Sequence, residues 1–79
     1  MNVAAEVEQF LVGEIAPGLG PVEPDSDLLA DAVLDSLGIV RMITFLEERY
    51  AIKVDDDDLA PENFRTVESI VAFVDQKRT

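Results

Sequence analysis

An all-α fold is predicted: a small four-helix bundle of three longer helices and one short helix, with a long loop between helices one and two. Three observations lead there. Apolar residues recur at helical spacing in three separate segments. No segment carries a convincing strand pattern. The chain has 79 residues with no Cys and no His, so no disulfide and no thiolate zinc site staples it, and packed helices must supply the core. Residues 1–79 read as one domain. The 48% apolar content is too high for a disordered acidic tail.

The first helix is expected from about Val3 to Ile15, with Val3, Val7, Phe10, Leu11 and Ile15 on its apolar stripe. Ala16-Pro17-Gly18 stops it. Residues 16–35 form a long connection rich in turn formers: Pro17, Gly18, Gly20, Pro21, Pro24, Asp25 and Ser26. Leu28, Leu29, Val33 and Leu34 are expected to pin it to the core, with room for a short helical turn around Leu28 to Ala30. Loops of this length in compact domains usually carry function. The second helix is expected over Ser36–Tyr50, capped by Asp35 or Ser36. It buries a stripe of Ile39, Met42, Ile43, Leu46 and Tyr50. Its other face reads Leu37, Val40, Arg41, Thr44, Glu47 and Glu48, the mixture of a transient binding surface or of a scaffold helix with stray apolar residues.

Ile52 and Val54 straddle Lys53 in an extended link. Asp55 to Asp58 lead into Leu59-Ala60-Pro61-Glu62-Asn63-Phe64, read as the short helix or turn, with Leu59 and Phe64 inward. Thr66 suits the N-cap of the last helix, Glu68 its first turn, and Lys77 and Arg78 its last. Its buried stripe is Val67, Ile70, Val71 and Val74, with Phe73 beside it.

Charge narrows the function. Six Lys and Arg face seventeen Asp and Glu, a net charge of −11. That balance repels a nucleic-acid backbone and disfavours an anionic membrane surface. Basic protein surfaces are favoured instead. No Lys or Arg precedes Arg41, so the first half is uniformly negative. This is either a solvated face or a docking field, and charge alone does not choose. The longest purely apolar run, Ile70 to Val74, falls far short of a membrane span. The start Met1-Asn2-Val3-Ala4-Ala5-Glu6 lacks the basic region and apolar core of a signal peptide. A cytoplasmic monomer is expected.

The acidic run does not make an EF-hand. Counted from Asp55, the oxygen, glycine and glutamate positions fall on Leu59, Ala60 and Thr66. Counted from Asp25 they fall on Leu29, Ala30 and Ser36. No metal site and no catalytic residue is expected, because a bundle this small encloses no obvious pocket and Ser36 has no His to activate it. Ser36 is nevertheless the informative position. It stands at the start of helix two after a long loop, where free amides and the positive end of the dipole suit a phosphate group. The plainer role is an N-cap, and Asp35-Ser36-Leu37 alone does not decide between them.

The surroundings do. The chain resembles the phosphopantetheine-dependent carrier proteins, the acyl and peptidyl carrier family, of free-standing type. The resemblance covers nearly the whole chain: its length, acidity and helix order, and the stretch Leu34-Asp35-Ser36-Leu37-Gly38-Ile39-Val40. Phe45-Leu46-Glu47-Glu48-Arg49-Tyr50, Ile52-Lys53-Val54 and the passage from Asp58 to Val67 match as well.

The resemblance implies that the Ser36 hydroxyl carries 4′-phosphopantetheine, transferred from coenzyme A by a phosphopantetheinyl transferase. Asp35 would assist magnesium and transferase contacts, and Leu37 would be gripped by partner enzymes. Val40, Arg41, Thr44, Glu47 and Glu48 are further partner-contact candidates. The implied function is to hold acyl or aminoacyl groups as thioesters and pass them between enzymes without catalysis. The partners would be a loading ligase or transferase and downstream synthase or tailoring enzymes. The arm would supply the only thiol, of pKa about 8.5, a better leaving group than an alcohol. Two positions depart from the fatty-acid carriers: Arg41, where many show an acid, and Gly38, where a polar residue is common. With Leu34 before Asp35, the chain looks more like carriers of specialised polyketide or nonribosomal peptide biosynthesis. The alternative function is an unmodified acidic helical protein-interaction module.

Overall fold

The computed structural model describes residues 2–18, 20, 22–31 and 33–78. Met1 and Pro21, which entered the signal-peptide and turn readings, lie outside them. Three α-helices carry the fold, α1 (Val3–Phe10), α2 (Ser36–Tyr50) and α3 (Val67–Arg78). There is no strand among the described residues.

The Asn2 side chain starts α1 by accepting the Ala5 amide at 3.1 Å. Val3, Val7 and Leu11 fall one turn apart and are buried. After Phe10 the helix widens into one π-helical turn, Leu11–Ile15, closed by the Ala16 amide on the Leu11 carbonyl at 2.7 Å. The expected span is therefore met, but its last turn is not α-helical. The next turn uses Gly18 at φ +86°, a conformation that suits glycine and ends the helix.

The long connection is ordered because it is bonded to the start of α3. The Leu28 amide donates to the Arg65 carbonyl at 2.6 Å, and the Glu68 amide donates to the Pro24 carbonyl at 3.1 Å. The second bond satisfies one of the amides that a helix N-terminus leaves unpaired. Val22, Leu28 and Leu34 are buried from this side, and Leu29 and Val33 are half-buried. Around Leu28 to Ala30 the chain makes a turn rather than a helix, held by Asp27 Oδ1, which accepts the Leu29 and Ala30 amides at 3.1 and 2.9 Å.

α2 and α3 follow their expected bounds. Met42, Leu46 and Tyr50 of α2 meet Val67, Ile70, Phe73 and Val74 of α3 and the α1 stripe in one core. Thr66 caps α3, its Oγ1 accepting the Ser69 amide at 3.0 Å. The short fourth helix does not form. In its place stand two 3₁₀ turns, Asp56–Asp58 and Pro61–Asn63. Pro61 is the reason: it has no amide to donate, and it holds Ala60 extended at φ −75°, ψ 136°. Leu59 is consequently not inward but 49% exposed, and Phe64 alone fills the core, 1% exposed.

Polar ties close the ends of the helices. The Glu6 carboxylate of α1 accepts from both the Arg49 guanidinium and the Tyr50 hydroxyl of α2. These two bonds, Arg49 first, hold its pKa below the ordinary 4.5. Burial and the bond to Glu6 push the Tyr50 phenol well above its usual range. Lys77 pairs with Asp58 and, at 3.6 Å, with Asp55. The acidic run is thus fastened to α3 rather than free.

Two outcomes follow from these features. Ala51 ends α2 in the left-handed region, at φ 56°. Ala51→Gly should raise stability by about 0.5–1 kcal/mol, read as a higher melting temperature. Glu6 has a lowered folded pKa, so its contribution is present above the unfolded value and is lost as pH falls through the folded one. The stability gap between the native protein and Glu6→Gln, from urea titrations, should be widest near neutral pH and close below the ordinary carboxylate range.

Candidate functional site

The site is built where the loop hands over to α2. Leu34 is buried, with its amide on the Leu28 carbonyl at 3.0 Å. Gly38 is also buried. The three residues between them, Asp35, Ser36 and Leu37, are exposed. The chain thus leaves the core for one short excursion and returns. Asp35 fixes that excursion. It is extended at φ −101°, ψ −172°, and its Oδ1 accepts the Gly38 amide at 2.7 Å while its carbonyl accepts the Ile39 amide at 2.8 Å. Of the two expected caps, Asp35 is the one used. Ser36 becomes the first helical residue, and its hydroxyl stands at the positive end of a helix of 15 residues.

Gly38 explains itself here. A Cβ on it would lie 3.2 Å from Asp35 Oδ1, 3.3 Å from Leu34 Cδ2 and 3.5 Å from Ile15 Cγ2. The absent side chain lets the π-helical turn, the loop and the cap converge beneath Ser36. The sequence marks Gly38 as a departure without revealing what approaches it.

The other candidates mostly share one face. Leu37, Arg41, Thr44 and Glu48 follow one another at helical spacing, with Val40 alongside, and all are exposed. Leu37 and Val40 are 68% and 57% exposed, large for apolar side chains. Arg41 reaches back to Glu14 of the π-helical turn at 3.8 Å. Glu47 stands apart: it is half-buried, and its Oε2 accepts the Val54 amide at 3.0 Å, fastening the link after α2. Sequence reasoning missed the opposite wall, where Phe10 and Phe45 stack at 4.3 Å with their planes 14° apart. Beside Ser36 a cleft of about 210 Å³ opens between Ile15, Val33, Asp35, Leu37 and Arg41.

An exposed hydroxyl on a capped helix start, next to a small cleft, can be esterified by a partner that approaches from solvent. Of the side chain beside the serine, Asp35, one carboxylate oxygen is taken by the Gly38 amide.

Comparison with known proteins gives a consistent answer. Residues 3–74 match the family model described as phosphopantetheine attachment site. The chain is 26% identical to an acyl carrier protein of Solidesulfovibrio magneticus over 78 residues, covering 99% of this chain and 97% of that protein. It is 33% identical to the meromycolate extension acyl carrier protein of Mycolicibacterium smegmatis, covering 91% of this chain and 78% of that protein. The solved structure of KstB-PCP(apo) superposes with a TM-score of 0.82 at 42% identity, covering 96% of this chain and 86% of that one.

The cap itself is testable. Asp35→Ala should destabilise the fold by about 1 kcal/mol in urea titrations, and Asp35→Asn, which keeps the accepting oxygen, by much less.

Proposed function

The chain belongs to the phosphopantetheine attachment-site family, and on that premise we propose that Ser36 is the anchor of its covalent 4′-phosphopantetheine. The observation that carries this reading is the presentation of Ser36: exposed on the first turn of α2, within the matched residues 3–74, and held there by the Asp35–Gly38 bond.

The residues present suit the group. A serine hydroxyl forms a phosphate ester, and the helix N-terminus favours the phosphate's charge. The Asp35 carboxylate opposes it, which accords with a role for Asp35 toward magnesium during the transfer. The arm, once attached, supplies a thiol that forms thioesters. In the transfer the Ser36 Oγ–P bond forms as the pyrophosphate bond of coenzyme A breaks. The nucleoside 3′,5′-bisphosphate would leave, and the hydroxyl proton would pass to a base of the transferase.

The rest of the chain serves as a docking body. Leu37 and Val40 offer exposed apolar contacts, and Arg41, Thr44 and Glu48 surround them with polar ones. Glu47 contributes by bracing the end of α2 rather than through its own exposure. The net charge of −11 makes encounters with basic enzyme surfaces fast and reversible. Tethering provides a high effective concentration of cargo at each docked enzyme. In this reading residues 1–79 are one cytoplasmic, monomeric, non-catalytic carrier domain. Its partners are a phosphopantetheinyl transferase, a loading ligase or transferase, and synthase or tailoring enzymes. The 42% identity to KstB-PCP(apo) supports acyl or aminoacyl cargo of specialised, polyketide or nonribosomal peptide biosynthesis over fatty-acid synthesis.

Co-expression with a broad-specificity transferase, followed by intact mass measurement, tests the anchor. The native chain should gain the mass of one phosphopantetheine, whereas Ser36→Ala should gain none while keeping its stability to within about 0.5 kcal/mol. A native chain of unchanged mass would overturn the reading and leave an unmodified interaction module.

A further inference from the structure

We propose that Ile15 is a positioning residue for attachment of the arm: it keeps the Asp35–Gly38 bond closed, and through that bond it sets the Ser36 hydroxyl. The inference rests on Ser36 being the anchor, and it adds a residue from the far side of the long connection to that setting.

The chain brings Ile15 to this place because the turn after α1 is π-helical. An α turn would return residue 15 above Leu11, on the buried stripe of Val3, Val7 and Leu11. A π turn takes one residue more to close, here with the Ala16 amide on the Leu11 carbonyl at 2.7 Å. Ile15 therefore stops short of the stripe, half-buried, and turns toward α2. Its Cγ2 lies 3.5 Å from the point where a Gly38 side chain would begin. Glu14, one residue earlier, reaches Arg41 at 3.8 Å, a second tie between the π-helical turn and α2.

The Ile15 contact falls on the cap. Asp35 Oδ1 lies 3.2 Å from that same point and accepts the Gly38 amide at 2.7 Å. Ile15 and Val33 are the branched apolar walls of the cleft of about 210 Å³ that adjoins Asp35 and Gly38. An apolar wall beside a hydrogen bond keeps water from competing for its donor and acceptor. Without the Ile15 side chain the cleft widens, water reaches the amide, and the first turn of α2 opens more often. Ser36 is the first residue of that turn. A nucleophile held about 0.5 Å out of place loses much of the advantage of orientation.

Docking is a separate matter. Val40, Arg41, Thr44 and Glu48 lie deeper in α2, and replacing Ile15 with another apolar residue leaves the net charge of −11 unchanged. Loss of Ile15 should therefore appear in kcat and not in KM, the split that separates positioning from binding.

The test follows transfer of the arm from coenzyme A by a broad-specificity transferase, read by intact mass at carrier concentrations spanning KM. Ile15→Ala should lower kcat about tenfold and leave KM within about twofold. Its Gly38 amide should exchange with deuterated water about tenfold faster, relative to core amides, than in the native chain. Ile15→Val keeps Cγ2 and should rescue kcat to within about twofold of native. Ile15→Leu keeps the volume but lacks a methyl at that place, and its kcat should fall about threefold. Loss of core volume alone would favour Leu over Val, so this pair decides the matter even where Ile15→Ala does not fold. Val12→Ala, at a half-buried position of the same turn that does not line the cleft, should leave kcat unchanged. A native kcat in Ile15→Ala, an equal fall in Val12→Ala, a change confined to KM, or a higher kcat for Leu than for Val overturns the positioning role and leaves the anchor standing. A native chain that takes no arm overturns both.

Discussion

Everything presented at the start of α2 depends on how closely the chain crowds Gly38. The π-helical turn, the buried Leu34 and the Asp35 carboxylate all come within 3.2–3.5 Å of the point where a side chain would begin. That approach aims the carboxylate at the Gly38 amide, and the resulting bond sets where the helix starts. Ser36 is exposed in the middle of a three-residue excursion whose flanks, Leu34 and Gly38, are buried. The position of one hydroxyl thus follows from packing beneath it, and no bond of its own is required.

The polar ties sit at the opposite end of the problem. Glu6 with Arg49 and Tyr50, and Lys77 with Asp55 and Asp58, join helices and turns far from Ser36. They neutralise part of a strongly negative surface with cations from the second half of the chain. Arg41, paired with Glu14, does the same close to the site. The outer face of α2 is left mixed in character, with apolar patches set among charges of both signs. Such a face suits brief contacts with several partners better than one permanent interface.

Much of this was legible in the residues. The three apolar stripes located α1, α2 and α3, because a helix that buries one face must repeat its apolar residues at that period. Thr66 declared its cap through residue type and place, and the cap of α2 was narrowed to Asp35 or Ser36. Ser36 stood out through its setting between a long loop and a helix. What stayed hidden involves residues distant in the chain. Nothing local to Gly38 announces Ile15, and nothing in Phe10 announces Phe45. Glu47 reads as a surface acid until Val54 is seen to donate to it. The error at Leu59 was of another kind: Pro61 was in plain view, and its effect on Ala60 breaks the segment into two tight turns that leave Leu59 outside.

The clasp between the long connection and the start of α3 has a consequence for synthesis. Pro24 and Leu28 are bonded to Glu68 and Arg65, so the loop's partners are translated well after the loop itself. On the ribosome α1 and α2 emerge first, with the segment between them unsecured. The Ser36 hydroxyl therefore reaches its final setting only when the last helix has cleared the exit tunnel, which places any recognition of that setting after translation of the domain.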